Sequence, residues 1–358
     1  MRLHRALFPL FSLFTIWSCG NVKENESFSM PEFQSRQIVG TQILVESLPC
    51  NSTYGIWESG NYLCVVYYDS ATETLVHLFD KQLGESRGDY IHRGRGPLEI
   101  PPTIPSVHER NGNIYLSDLH SGKTLSFNIK RLAFEGSSAI TSDYEEYKNY
   151  ISIASTLPNG EKILLNNIGF VNPDTLNYHR LEIQDANGIT KSYGGAVPYA
   201  DSKMLFYLYQ QSVMEVSPNC QHMVLGSVWG GLLELYSLPD FADAKLLRLV
   251  DPAISIDRGM ELTSKTTSGL RDLVAKDNGF YAVLGSDVYV LENLEKPEKE
   301  RELANNDIYF FNWRGKPLKQ FETNYNLEKI CITESQDTLY SVVSDVNGQL
   351  SIGMTVLN

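Results

Sequence analysis

The sequence predicts an all-β fold, a six-bladed β-propeller whose ring is closed by an N-terminal strand that joins the last blade. A turn containing Gly, Asn or Asp followed by a β-rich run recurs six times, near residues 60, 112, 160, 220, 279 and 337. This spacing suits propeller blades, which need roughly 40–50 residues each for four strands. A second strand and turn follow most copies, as in residues 75–84 and 308–316. Helical patterns are almost absent.

The N-terminal residues predict the cellular address. A positively charged start precedes the apolar run of residues 6–17, which is too short for a transmembrane helix of roughly 20 residues. Ile16-Trp17-Ser18-Cys19 is similar to a bacterial lipobox. We expect residues 1–18 to be a lipoprotein signal peptide and Cys19 to carry the lipid; the alternative is an ordinary signal peptide with a chance Cys. The predicted location is the cell envelope, lipid-anchored at the outer membrane and facing the periplasm or the surface.

The remaining chain divides into a tether and one domain. Residues 19–35 are polar and lack an apolar period, so we expect a flexible tether. Residues 36–358 form the predicted propeller. The last repeat has room for about three strands before Asn358, which would leave a strand edge unpaired. The spare run of residues 38–45 is therefore predicted to supply the missing strand.

The composition argues against a nucleic-acid partner. The formal net charge is −13, whereas binding to a phosphate backbone needs a basic patch or stripe. Gly94-x-Gly96 lacks the third Gly and the following helix of a dinucleotide-binding loop. Ser121-Gly122-Lys123-Thr124 imitates the end of a P-loop, but Ser117 occupies the position of its first Gly. We expect no cofactor and no metal, because the sequence also lacks the short metal-binding motifs.

Four cysteines remain besides Cys19, namely Cys50, Cys64, Cys220 and Cys331. An oxidising compartment permits disulfides among them, with three possible pairings. Their spacings are wide and irregular, and two of them lie inside apolar strand patterns. The pattern favours buried free thiols.

Two phrases of the sequence resemble a known family. Residues 92–99 read His-Arg-Gly-Arg-Gly-Pro-Leu-Glu, and residues 310–318 read Phe-Phe-Asn-Trp-Arg-Gly-Lys-Pro-Leu. Together with the lipobox they resemble the six-bladed, TolB-like propeller lipoproteins of Bacteroidota, whose repeat pattern is shared with NHL propellers. Leu98 stands where this family often has Gly, so that turn could differ in shape. The resemblance implies the fold and the envelope location, and it implies no chemistry because the family largely lacks an assigned activity.

Polar side chains cluster around these glycines and on the next repeat, where several of them could converge on an anionic or sugar ligand. The alternative is that the glycines make a turn between blades and the charges face water. The candidate ligand-binding residues are His92, Arg93, Arg95, Asp118 and His120.

The sequence favours a binding or scaffolding module over an enzyme. A rigid disc with variable loops offers recognition surfaces without a catalytic constellation. The expected partners are the membrane, through the lipid on Cys19, and a protein or glycan. The alternative function is a metal-dependent propeller hydrolase of the lactonase type, which holds a metal in the central channel through Glu, Asn and Asp from different blades. We find no set of acids at equivalent positions of several blades in the sequence, so this alternative ranks second.

Overall fold

The computed structural model describes most of the chain beyond residue 31. The described residues are 32–50, 53–101, 105–110, 112–144, 151–157, 159–166, 179–193, 212–249, 267–285 and 296–357. The predicted signal peptide, Cys19 and the tether up to residue 31 lie outside them. Among the described residues, no helix has the length and apolar character that crossing a bilayer requires.

Two strands from the N-terminal part of the chain precede the blades, β1 (Ser35–Ile38) and β2 (Thr41–Val45). The strands of blades 1 to 3 follow in chain order. They are β3 (Thr53–Ser59), β4 (Tyr62–Asp69), β5 (Thr74–Asp80), β6 (Ser86–Arg93) and β7 (Glu99–Ile100) in blade 1; β8 (Ser106–Arg110), β9 (Asn113–Asp118), β10 (Lys123–Asn128) and β11 (Thr141–Tyr144) in blade 2; and β12 (Ile151–Thr156), β13 (Lys162–Asn166), β14 (Leu181–Asp185) and β15 (Gly188–Tyr193) in blade 3.

Blades 4 to 6 complete the ring. Their strands are β16 (Ser212–Val216), β17 (His222–Ser227), β18 (Leu232–Ser237) and β19 (Ala242–Arg248) in blade 4; β20 (Leu270–Lys276), β21 (Gly279–Leu284), β22 (Asp307–Asn312) and β23 (Pro317–Glu322) in blade 5; and β24 (Asn326–Ile332), β25 (Thr338–Ser344) and β26 (Leu350–Val356) in blade 6. The structure therefore confirms the predicted all-β propeller with six blades.

The first four strands of blades 1 to 5 and the three strands β24 to β26 of blade 6 follow the order in the chain, and neighbours among them are antiparallel. The short β7 pairs in parallel with β6. The first strand of a blade contacts the first strands of its neighbours, as β3 does with β8 and β24. These first strands therefore line the centre of the ring. Tight turns join first to second strands in blades 1 and 2, where Gly60 and Gly112 adopt φ values of 63° and 76°. Glycine accepts this left-handed conformation without a steric cost.

Strand β2 closes the ring as the sequence predicts. It pairs antiparallel with β26, with Thr41 opposite Thr355 and Ile43 opposite Gly353. The two threonine hydroxyls lie 2.8 Å apart. Blade 6 thus gains its fourth strand from the N-terminal part of the chain, and the edge of β26 is paired.

Strand β1 adds a feature that the sequence did not predict. It pairs in parallel with β23, so that blade 5 has five strands. The Arg36 guanidinium lies 2.6 Å from the Glu322 carboxylate across this pair. The segment before blade 1 therefore forms two strands, because the chain crosses from blade 5 to blade 6 at Val39 and Gly40.

The hydrophobic core lies largely between adjacent blades. Val66 and Leu78 of blade 1 pack with Ile114 and Leu125 of blade 2, and each of these side chains is fully buried. Each buried methylene contributes roughly 0.8 kcal/mol. Because the contacts run from blade to blade, the stability of each blade depends on its neighbours.

One helix interrupts the β pattern, α1 (Ile129–Glu135), between β10 and β11. The Asn128 side chain accepts hydrogen bonds from the backbone N–H groups of Lys130 and Arg131 at 3.1 and 3.3 Å. Such a cap satisfies donors that the first turn of a helix leaves free. Gly136 follows the helix with φ 61°.

Cys50, Cys64, Cys220 and Cys331 form no disulfide in the described part of the chain. Cys64 is fully buried, and burial raises the pKa of its thiol above its usual range. Burial likewise raises the pKa of the Cys331 thiol to about 12. Both thiols are therefore protonated and unreactive at neutral pH.

The alternation of strand direction gives the disc two distinct faces. We call the face with the first-to-second and third-to-fourth connections the turn face, and the opposite face, with the remaining connections, the loop face. The four longest connections between described strands all belong to the loop face. They join Asn166 to Leu181, Tyr193 to Ser212, Arg248 to Leu270, and Leu284 to Asp307.

Candidate functional site

The structure places all five predicted ligand-binding residues on the loop face. His92 and Arg93 end β6, and Arg95 lies in the connection that follows. Asp118 ends β9, and His120 lies in the turn before β10. Blades 1 and 2 are adjacent, so the fold brings the two loops predicted from separate repeats to the same part of one face.

The loop of residues 94–98 is shaped by a carboxylate folded beneath it. The Gly96 N–H donates to Glu99 Oε2 at 2.6 Å, and the Gly94 N–H donates to the Ile100 carbonyl at 2.8 Å. A Cβ atom on Gly94 would lie 2.0 Å from Glu99 Oε2, and one on Gly96 would lie 2.9 Å from the Glu99 Cδ atom. The Gly-x-Gly-Pro-x-Glu phrase is therefore explained by loop geometry, because a side chain at either glycine would displace the carboxylate.

Lys123 joins the two loops. Its ammonium group donates to the Gly96 carbonyl at 2.5 Å and to the Glu99 carbonyl at 2.6 Å. The side chain is only 3% exposed, and it begins β10 directly after the turn that carries His120. Buried charge-assisted hydrogen bonds are short and strong. Lys123 therefore holds the blade 1 loop against blade 2.

Arg93 is held flat against an aromatic ring. Its guanidinium carbon lies 3.5 Å from the centroid of the Tyr68 ring, within the range of a cation–π contact. The Arg93 backbone N–H donates to the Glu73 carbonyl at 2.9 Å. The side chain is half-buried, so it loses little further freedom when it binds an anion.

Asp118 shapes the turn that carries His120. Its carboxylate accepts hydrogen bonds from the backbone N–H groups of His120 and Ser121 at 3.2 and 3.3 Å, and the residue is buried. The exposed residues of the predicted set are His92, Arg95 and His120. Together with Arg93 they form the surface that we call the cationic rim.

A second group of charged side chains lies in the central channel. These side chains come from the first strands of five blades, and their charges act on one another. The channel residues are Glu58, Glu109, Glu215, Asp272, Lys276 and Lys329.

Glu215 has a strongly perturbed carboxyl group. Burial between the inner strands, together with the neighbouring carboxylates of Asp272 and Glu109, raises its pKa to about 8. The ammonium groups of Lys329 and Lys276 act against this shift. Glu215 therefore retains its proton at neutral pH.

Asp272 is tied to the adjacent blade. Its Oδ1 atom lies 3.1 Å from the Lys329 ammonium group, and its Oδ2 atom accepts the Ile330 N–H at 2.8 Å. Burial nevertheless raises the pKa of Asp272. These contacts fix the spacing between blades 5 and 6 at the channel wall.

These acids were not predicted from the sequence, and the prediction that no acids occupy equivalent positions of several blades was wrong. Glu58, Glu109 and Glu215 are each the penultimate residue of the first strand of their blade. The repeats were aligned on the turn after that strand, and this turn has two residues in blade 1 but five in blade 4. The different turn lengths hid the common position.

The channel carboxylates already have protein partners in part. Glu58 lies 3.0 Å from the Lys81 ammonium group, and Glu109 accepts the Gly112 N–H at 2.5 Å. Within the part of the chain that the structure describes, no group of three or more His, Cys, Asp or Glu side chains is arranged to hold a metal ion.

Comparisons with known proteins bear on the fold alone. No protein-family model and no curated protein matches the chain. A member of the DUF4221 family from Bacteroides vulgatus is 10% identical with a TM-score of 0.50, over 89% of this chain and 98% of that one. A Bacteroides fragilis protein that is thought to be exported is 11% identical with a TM-score of 0.49, over 90% and 99%. The WD40 repeats of RRP9 are 10% identical with a TM-score of 0.49, over 86% and 80%.

Proposed function

We propose that this protein is a lipid-anchored binding module of the bacterial cell envelope, and that the cationic rim on its loop face holds an anionic glycan. One observation carries the proposal. The loops of two adjacent blades that carry these side chains lie on one face, and the buried Lys123 ammonium group ties them together through the backbone carbonyls of Gly96 and Glu99. The resemblance to TolB-like propeller lipoproteins supports the envelope location.

The chemistry of the rim suits carboxylate or sulfate groups on a sugar. Arg93 presents a planar guanidinium whose orientation is fixed by Tyr68, and such a group can donate two parallel hydrogen bonds to one anionic group. Arg95, His92 and His120 are exposed on the same face. The protein as a whole is acidic, with a net charge of −13, so a local cationic surface would concentrate an anionic ligand there.

The ligand is sought on an array of bacterial and host polysaccharides, followed by calorimetry with the polysaccharide that binds. Each charge-assisted contact contributes about 1.5–3 kcal/mol, so Arg93→Ala/Arg95→Ala should weaken binding by well over tenfold. The matched control is Lys130→Ala/Arg131→Ala on the turn face, which should bind as the wild type does. Equal affinity of the two double variants would remove the rim from the site. Binding of a protein from envelope extracts, with no polysaccharide bound, would replace the glycan by a protein partner.

The anchor is tested separately. Metabolic labelling with a fatty-acid analogue should label the wild type on Cys19 and leave Cys19→Ala unlabelled. The variant should then appear in the soluble extracytoplasmic fraction. Label on Cys19→Ala would show that the lipid is attached to a residue other than Cys19.

The second candidate remains the metal-dependent hydrolase of the lactonase type. One supporting observation is that carboxylates from four blades lie on the first strands, which line the central channel where that class of enzyme holds its metal. A cluster with a strongly shifted carboxyl pKa, as at Glu215, is also a frequent property of active sites. Metal-dependent turnover of a lactone or ester, lost on chelation and in Asp272→Asn, would favour this function over the binding module.

A further inference from the structure

The chain enters the propeller at the turn face. Strand β1 is parallel to β23, which runs from the turn face to the loop face, so β1 also starts at the turn face. Phe33 fixes this entry point, because its ring centroid lies 5.1 Å from that of Tyr309 and 5.4 Å from that of Phe311. Residues 20–31 alone separate Cys19 from the described chain. Fully extended, this segment spans at most about 45 Å at roughly 3.5 Å per residue.

The turn face also exposes apolar side chains. Phe134 is 80% exposed and Leu83 is 63% exposed, in the third-to-fourth connections of blades 2 and 1. Ile189 at the start of β15 and Val356 at the end of β26 are exposed at the same face. Four of the six large exposed apolar residues in the described chain thus belong to the turn face.

Helix α1 combines an aromatic and a cationic side chain on one side. Lys130 and Phe134 are four residues apart, so they are neighbours on the helix surface. Both are exposed, and the Phe134 ring makes only an edge contact with the Tyr62 ring at 6.2 Å. Aromatic rings beside Lys or Arg are typical of segments that lie in the headgroup region of a bilayer.

The geometry points to the turn face as the surface that lies on the membrane, with Phe134 and Leu83 in the headgroup region of the phospholipids. This inference rests on the proposed lipid anchor at Cys19, because the anchor and the entry point together bring this face to the bilayer. The exposed apolar residues come from blades 1, 2, 3 and 6 and are spread singly around the face. Such a spread offers a partner protein no contiguous apolar patch, so the choice of a lipid surface rests on the entry point at Phe33 and on the short segment between it and Cys19. The cationic rim then faces away from the membrane.

The experiment uses the lipidated full chain reconstituted in vesicles of phosphatidylethanolamine and phosphatidylglycerol that contain brominated lipid, which quenches nearby tryptophan. Phe134→Trp reports on the turn face. The matched control is Tyr144→Trp, because Tyr144 is 67% exposed at the loop-face end of β11. The unsubstituted protein gives the baseline from the native tryptophans. We expect a loss of emission beyond this baseline for Phe134→Trp and none for Tyr144→Trp.

Flotation of the same vesicles distinguishes failure of the lipid anchor from failure of the proposed orientation. If the protein floats with the vesicles and both substituted tryptophans are quenched equally, or only the one at position 144 is quenched, the orientation is overturned and the anchor stands. If the protein does not float, the lipid anchor fails and the orientation fails with it. Flotation with selective quenching at position 134 supports both.

Discussion

The two faces of this propeller are built from the same strands but differ in their connections. On the turn face most connections are short, and the face carries the entry of the chain at Phe33 together with exposed apolar residues such as Phe134. The loop face carries the four longest connections and the cationic rim around Arg93. The difference shows how one rigid ring can separate two tasks, because each face can vary without disturbing the strands between them.

The largest effect is expected from opening the ring, since both faces exist only while it is closed. Deleting residues 41–45 would remove β2 and leave the edge of β26 unpaired. Because the core runs from blade to blade, we expect loss of the cooperative thermal transition of the whole domain. Deleting residues 20–31 instead should leave the transition unchanged. Equal melting temperatures for the two deletions would show that β2 does not close the ring.

A smaller but local effect is expected on the loop face from Lys123→Met. The substitution removes two charge-assisted hydrogen bonds and leaves the carbonyls of Gly96 and Glu99 without their buried donor. We expect a loss of about 2–4 kcal/mol in the free energy of unfolding, measured by urea denaturation. Lys130→Met on the turn face, where the lysine is exposed, should change stability by less than about 0.5 kcal/mol. A neutral Lys123→Met would mean that the two loops do not depend on this lysine.

The channel between the two faces gives a pH-dependent prediction. The folded-state pKa of Glu215 is raised to about 8 by burial and by Asp272 and Glu109, so the folded protein holds a proton that the unfolded chain releases. This carboxyl group therefore lowers stability as pH rises from about 4.5 to about 8.

Glu215→Gln removes that dependence and is expected to stabilise the protein by about 1–2 kcal/mol at pH 8, with the gain vanishing near pH 4. The ammonium groups of Lys329 and Lys276 oppose the shift and keep the expected gain small. Thermal melts across this pH range measure it, with Glu334→Gln at an exposed turn as the control. A pH-independent difference between Glu215→Gln and the wild type would contradict the raised pKa.

The sequence was sufficient to predict the ring and its closure because turn residues mark every blade and the last unit lacked a strand. It was insufficient where the signal depends on register. Val39 and Gly40 gave no clear break, so residues 38–45 were predicted as one strand, whereas Ile38 ends β1 and Thr41 begins β2. Helix α1 was missed although Asn128 and Gly136 flank it, because seven residues are too few for a helical period.

The candidate site, like the fold, could be predicted from the sequence only in part. Turn chemistry predicted polar residues on loops, and the fold placed all five on one face. The role of Asp118 within its own turn follows from backbone contacts that no pattern of residue types shows. The channel acids could not be predicted before the first strands were defined, because residues as distant in the chain as Glu109 and Glu215 act on one another only in the closed ring.

Binding and anchoring on opposite faces of the ring can be tested together in one comparison. Affinity for the polysaccharide found on the array is measured for the lipidated protein in detergent and on vesicles, in the wild type and in Arg93→Ala/Arg95→Ala. We expect the wild type to bind with equal affinity in detergent and on vesicles. The double substitution should weaken binding more than about tenfold under both conditions. Loss of polysaccharide binding when the wild type sits on vesicles would contradict it, because the ligand site would then lie on the membrane-facing side.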